Sequence, residues 1–415
     1  MTIKHLKSGT VSRFVVASWA PSLHETTFRS AISRAGANPY IYEHANIREQ
    51  VSWVHHGNQA TDKAIRLVAA ATAKAEGLKP LEPIRTEARQ HVTVIGGGIA
   101  GLRTAKDLAD CGVEVALIEK SPFLGGQLAQ LERLAPTGDP AADLITALTG
   151  QVLGDPRITV HTCSLVETFD GYVGNFSLGV KKQPPDTDHE KLASLNPSDR
   201  TPGEFIPFTG VFPESVPARA EEFIIETGVV VMATGFKSYT PRRGEYGYAE
   251  FREVITLPEL IRIMAENKST DKFLEINGRR IRSMSMIHCV GSRQIPGIHP
   301  EDESGNLNEY CSRTCCSATL SVANTIRQTY PGTRVFELYR DIRTYGRGQE
   351  ELYEQASKNK VIFLRFEAAE PPEMNRYDGS DGFPLRVKVK DTLTFGEEVE
   401  VPVDLVVLAT GIEPN

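Results

Sequence analysis

Residues 91–120, HVTVIGGGIAGLRTAKDLADCGVEVALIEK, constrain the fold more than any other stretch of the chain. An apolar run from His91 to Ile95 meets Gly96-x-Gly98-x-x-Gly101, then an amphipathic helical pattern, then a second apolar run ending in Glu119. That order predicts a βαβ unit built to take a dinucleotide. Gly96 suits the tight turn, Gly98 lets a pyrophosphate approach the backbone, and Gly101 lets the helix pack closely on the strand. The helix start, with Ile99 and Ala100, offers free N–H groups and a positive dipole end to phosphate oxygens. Glu119 is placed to accept hydrogen bonds from ribose hydroxyls.

The residues that follow narrow the choice of dinucleotide. Lys120 leads into SPFLGGQLAQL, whose Gly125-Gly126-Gln127-Leu128 turn is typical of flavoproteins. Ala233-Thr234-Gly235 follows the run FIIETGVVVM, and Ala409-Thr410-Gly411 follows DLVVL in the same way. Two such units resemble the two-dinucleotide-domain flavoproteins of the thioredoxin reductase and glutathione reductase group. The resemblance implies an α/β fold of two Rossmann-like, thioredoxin-reductase-like lobes, with FAD in the first. It also implies that the backbone at Val166 holds the adenine. The cofactor-binding set expected is Gly96, Gly98, Ile99, Ala100, Gly101, Glu119, Lys120, Gly126, Gln127, Leu128, Val166, Ala233, Thr234 and Gly235. The second lobe departs from that group. Where a glycine-rich phosphate turn is expected after SMSMIHCV, the chain reads Cys289-Val290-Gly291-Ser292-Arg293. No redox dithiol is visible either, and Cys111, at a helix end, and Cys163, in a strand, read as structural.

Four of the 6 cysteines, Cys289, Cys311, Cys315 and Cys316, are spaced C-x21-C-x3-C-C. Cys289 closes an apolar run expected to be a strand. CSRTCCSATLSVANTI reads as helical after its first turn, with Cys311 and Cys315 on one face and Cys316 one step round. Four thiolates from a strand end and a helix start form a ligand set for a soft metal centre, an iron–sulfur cluster or structural zinc. Only half of the motif resembles a zinc knuckle, so the cluster is favoured. Disulfides fit poorly, since no signal-peptide pattern is present. Buried core thiols are the remaining alternative for the adjacent pair.

ASWAPSLHETTFRSA, NPYIYEHANIREQVSWVHHGNQATDKAIRLV, VIGGGIAGLRTAKDLAD, GYVGNFSL, CVGSR, EYCSRTCC and YRDIRTYGRGQEELYEQA together resemble the flavin-bearing A subunit of heterodisulfide reductase, nearly end to end. What the resemblance implies is an FAD, a [4Fe–4S] cluster on Cys289, Cys311, Cys315 and Cys316, a homodimer, and partner subunits that exchange electrons with this one. The other cluster sites of the methanogen proteins are missing. Ala17, Trp19 and Val51 stand where those members carry cysteine, and neither GDPAADLITAL nor the stretch after GYVGNFSL contains one. That pattern resembles the heterodisulfide-reductase-like A subunit of bacterial sulfur oxidation. The function expected is an oxidoreductase subunit that converts between two-electron flavin and one-electron cluster transfer, with no catalytic side chain of its own. A stand-alone NAD(P)H-dependent flavin disulfide reductase and a non-catalytic assembly subunit with structural cofactors are the alternatives.

The net charge of −7, from 46 basic and 53 acidic residues, argues against nucleic-acid binding. No apolar run approaches the ~20 residues of a membrane span, and a cytoplasmic setting is expected. The domains expected are an N-terminal α/β segment at 1–88, with helices near 24–35 and 61–76, and an FAD lobe at 89–240 with a loop excursion at 182–220. A second, cluster-bearing lobe at 241–415 completes the chain. In the reductase group a further flavin-contacting segment follows the second ATG unit, so either that segment has been trimmed or the flavin site is closed differently. Asp341–Gly346 are expected at the flavin or a dimer interface, and His55-His56 are read as strand neighbours on opposite faces.

Overall fold

The computed structural model describes residues 12–134, 137–184, 210–213, 217–266, 271–302 and 305–415. Most of the excursion expected at 182–220 lies outside the described residues. The chain forms two compact units, one up to Glu87 and one from Ala88 onward.

In the first unit β1 (Phe14–Ser18) pairs in parallel with β2 (Tyr42–Asn46). Helix α1 (Pro21–Arg34) connects them, and α2 (Gly57–Glu76) packs across both. Helix α1 starts earlier than expected because Pro21 sits at its first turn, where a missing N–H costs nothing. His55 and His56 lie in the turn before α2, not in a strand, and His56 is the helix N-cap. The positions where relatives were expected to carry cysteine hold exposed Ala17, exposed Trp19 and buried Val51.

The second unit repeats one order of elements twice. First come β3 (His91–Ile95), α3 (Ile99–Asp110), β4 (Glu114–Ile118), α4 (Ala141–Leu153) and β5 (Ile158–His161). An antiparallel insert of β6 (Ser164–Tyr172), β7 (Asn175–Lys182) and β8 (Glu221–Thr227) then runs straight into β9 (Val229–Met232). After β10 (Phe236–Ser238), β11 (Val254–Thr256), α5 (Leu257–Glu266) and the hairpin β12 (Leu274–Ile276)–β13 (Arg279–Ile281), the pattern recurs. It reads β14 (Ser283–Val290), α6 (Cys315–Thr329), β15 (Arg334–Tyr339), α7 (Glu350–Lys358) and β16 (Ile362–Arg365). A second antiparallel insert, β17 (Glu373–Arg376), β18 (Leu385–Asp391) and β19 (Glu397–Val403), leads into β20 (Leu405–Thr410), and β21 (Ile412–Pro414) ends the chain.

The two parallel sheets have the orders β5-β4-β3-β9 and β11-β20-β14-β15-β16. The strand order of each turns back at one point, between β3 and β9 and between β14 and β20. Ligands of such sheets sit beyond the carboxyl ends of the strands at that switch. The cores explain why the repeats hold. Leu102, Ala105 and Ala109 form a helical stripe of α3 that is fully buried against Val94 and Leu117. All eight residues of β14 are buried. Met284 and Met286 face α6 through Leu320, Ala323 and Ile326, while Ile287 faces Val387, Leu385 and Val403. A strand covered on both faces buries every position, so Ser283, Ser285 and His288 lie inside along with the apolar residues.

Candidate functional site

At the first switch point three backbone segments close on one another. Gly96 has φ +115°, and a Cβ there would drive into the Ala233 carbonyl. A Cβ on Gly101 would meet the Gly96 carbonyl, and one on Gly126 would stand 2.8 Å from the Gly98 Cα. Gly98 also bridges to Gly125, whose N–H donates to Gly97 O at 2.9 Å. The result is a cradle that only glycine permits. Helix α3 begins from it with Gly98 as N-cap, no side-chain cap, and exposed Ile99 and Ala100. Its first N–H groups have no side-chain cap and lie at the positive end of the helix.

Glu119 is buried beside this turn and accepts from the backbone N–H of Gly97 at 2.6 Å and of Ser121 at 2.7 Å. A carboxylate has about four acceptor sites, so two N–H bonds leave room for hydroxyl donors. Gln127 spans to the segment after the first ATG unit by donating from Nε2 to Phe236 O at 2.9 Å, and Asn415 donates to Thr234 O at 2.6 Å. Gly235 takes φ +68°. Leu128 is buried and Lys120 exposed. Val166 pairs with Val180 in β6 just before a register shift. The start of β6 is tied to the end of β4 through Ser164, whose N–H donates to the backbone carbonyl of Glu119 at 2.9 Å. Cys163 lies between β5 and β6 at φ +53°, not in a strand as expected. Glycine loops, open helix start and buried acid fit a dinucleotide pyrophosphate and ribose.

The second switch point is built differently. Strand alternation would turn His288 and Cys289 to opposite faces. Cys289 instead takes φ +63°, and the pairing of β14 with β20 slips between Ile287 and Val290. A left-handed φ in a non-glycine residue costs about 1–2 kcal/mol and often marks a functional position. With that kink, Cys289 meets Cys315 and His288 meets Cys316, both in the first turn of α6. The contact with Cys315 is the main cause holding Cys289 and Cys316 below the ordinary thiol value. Cys315 itself is pushed up, because its proton is the one shared with Cys289 and Cys316. His288 Nε2 meets the carboxylate of Glu337, and both side chains are fully buried. Burial opposes charge on His288, but Glu337 and Cys316 outweigh it and hold the imidazole well above its ordinary value.

Cys311 is the correction. It does not share a helix face with Cys315, since α6 begins at Cys315 and Arg313 takes φ +61°, which a right-handed helix cannot contain. Cys311 is half-buried in the loop leading in. Among the described residues no three His, Cys, Asp or Glu side chains stand at metal-binding geometry. The fit to a soft metal centre rests on the donor set: three converging thiols, two of them thiolate-prone, with a fourth one loop away.

The crevice itself is filled. Gly291, at φ +68°, has the Tyr239 ring where a Cβ would go. Ser312 Oγ donates to Ser292 Oγ at 3.1 Å and accepts from the N–H of Ile412 at 2.9 Å, and Tyr310 OH donates to Ile412 O at 2.9 Å. Asp341 lies at the thiols, accepting from Cys316 Sγ through its carbonyl at 3.9 Å, and lines a cleft of about 310 Å³ with Tyr353 and Arg365. Sequence reasoning missed Arg293, Asp341, His288 and Glu337 as neighbours of the thiols. The parallel register of β14 with β15, which sets Ile287 opposite Leu338, brings them there.

Residues 94–144 match the family model for an NAD(P)-binding Rossmann-like domain. The chain is 36% identical to the second iron-sulfur A subunit of CoB–CoM heterodisulfide reductase from Methanopyrus kandleri, over 98% of this chain and 66% of that one. It is 34% identical to the A subunit of the H(2):CoB-CoM heterodisulfide,ferredoxin reductase of Methanothermobacter marburgensis, over 99% of this chain and 67% of that one. The chain thus spans about two thirds of the length of these relatives. Among solved structures, thioredoxin reductase of Lactococcus lactis aligns with a TM-score of 0.42 at 17% identity, over 79% of each chain.

Proposed function

The chain belongs to the family of heterodisulfide reductase A subunits, and we propose that it is the FAD- and [4Fe–4S]-bearing electron-transfer subunit of a heterodisulfide-reductase-like complex. The observation that carries this reading is the meeting of Cys289, Cys315 and Cys316 at the switch point where a second nucleotide would otherwise enter. When bound, a flavin exchanges electrons in pairs or singly and an iron–sulfur group singly, so the pair converts between the two modes.

The protein's part is binding and orientation. Gly96, Gly98 and Gly101 keep side chains out of the phosphate path, the first turn of α3 supplies N–H donors, and Glu119 receives the ribose. Gln127 fixes the glycine turn to the backbone after Gly235. Cys289, Cys311, Cys315 and Cys316 would hold the iron–sulfur group as thiolates. Loss of cysteine at positions 17, 19 and 51 supports a setting in cytoplasmic sulfur oxidation, with a homodimer and further subunits as partners.

The test is anaerobic reduction of the isolated full chain. Dithionite should bleach the flavin, NADH and NADPH should not, and no disulfide should turn over without partner subunits. Efficient NADPH-dependent disulfide reduction by the isolated protein would overturn the proposal in favour of a stand-alone reductase.

A further inference from the structure

Arg293 stands beside one of the thiols. Its Nη1 lies 3.9 Å from Cys289 Sγ, and its Nη2 is 2.7 Å from Asp341 Oδ2. The other carboxylate oxygen of Asp341 meets Arg365 Nη2 at 3.3 Å, and the Asp341 carbonyl accepts from Cys316 Sγ at 3.9 Å. One ion pair, between residues 48 apart in sequence, thus joins the surroundings of Cys289 to those of Cys316.

The pair is held with unusual care. Arg293 has φ +54°, a conformation disfavoured for a side-chain-bearing residue. Its N–H donates to Tyr310 O at 2.9 Å, and its carbonyl accepts from Arg340 Nη2 at 3.0 Å. Arg340 is itself buried and also donates to Ser292 O at 3.2 Å. The Arg293 side chain is only 19% exposed, against 44% for Asp341. The cation is therefore sunk toward the sulfur while its counter-ion stays nearer water, where charge is better screened.

We propose that Arg293 and Asp341 are positioning residues that set the reduction potential of the redox group held by the four cysteines, an inference that rests on the function proposed above. Reduction adds negative charge to a thiolate-bound group, and a fixed guanidinium beside a ligand sulfur favours the reduced form. Asp341 orients the guanidinium and offsets part of its charge. The two residues therefore act in opposite directions on the potential, which simple loosening of the loop would not do.

The experiment is a mediator titration of the full chain, purified anaerobically, with EPR as readout and iron, sulfide and flavin measured on each sample. Arg293→Gln is expected to lower the reduced-to-oxidised ratio at fixed mediator potential by about tenfold, equivalent to ~59 mV for one electron. Asp341→Asn is expected to raise that ratio, and Arg293→Lys to retain most of the wild-type value. If Arg293→Gln loses its iron, Asp341→Asn and Arg293→Lys carry the test. Iron-replete variants with unchanged potentials, or potentials that both move the same way, would overturn the inference alone. Wild-type protein free of iron and sulfide would overturn the proposed function and this inference with it.

Discussion

The N–H of Gly411 donates to the carbonyl of Val290 at 2.7 Å, tying the end of β20 to the end of β14 across the point where the second sheet reverses. The equivalent place in the first sheet is the approach of Gly96 to Ala233, which stays open above the start of α3. Same order of elements, opposite outcome: one switch point is an exposed helix start among glycines, the other a packed knot of Gly291, Ser292, Ser312 and Gly411. A Cβ on Gly411 would stand 2.7 Å from Ser292 Cβ and 2.9 Å from Ser312 Oγ. Gly411→Ala is therefore expected to cost about 1–3 kcal/mol, as overpacking does. Urea unfolding measures it, and an unchanged midpoint would mean that the knot is loose.

On the proposed function, flavin retention is expected to depend on the first cradle. Gly101→Ala pushes a methyl into the Gly96 carbonyl, and Gly96→Ala adds strain at φ +115°. Both variants are expected to lose most of their flavin while keeping iron, because the thiols lie in the other sheet. Absorbance and iron assay on one sample separate the two. Full flavin content in Gly101→Ala would remove the cradle from the cofactor site.

The fully buried contact of His288 with Glu337 gives a stability prediction. Breaking a buried pair by removing one member costs ~3–5 kcal/mol, whereas replacing both with apolar residues is often neutral or stabilising. Glu337→Ala should thus be strongly destabilised, and the double variant His288→Leu/Glu337→Leu should recover most of the loss. Denaturant midpoints check this, and equal losses in both would show that packing, not charge, holds the site.

What the sequence made legible was whatever one local segment encodes. The unit from His91 to Glu119 could be read because its strand, glycine turn, helix, second strand and acid follow one another within about thirty residues, although the carbonyl that crowds Gly96 comes from distant Ala233. The start of α6 could not, because the left-handed turn at Arg313 has no sequence signature, and Cys311 was therefore assigned to a helix it precedes. The environment of the thiols was equally hidden. Arg293 and Asp341 are 48 residues apart, and His288 and Glu337 are 49 apart. Only the parallel pairing of β14 and β15 brings them together. The kink at Cys289 also escaped, since a strand buried on both faces carries no mark of register in its sequence.

The most direct test of the central claim is elemental. The full chain, purified anaerobically, should contain about four iron and four acid-labile sulfide per FAD. Its dithionite-reduced EPR signal should vanish in Cys315→Ser while the flavin remains. Flavin accompanied by zinc, or by no metal, would contradict the account and leave the four cysteines as a structural feature of a flavoprotein scaffold.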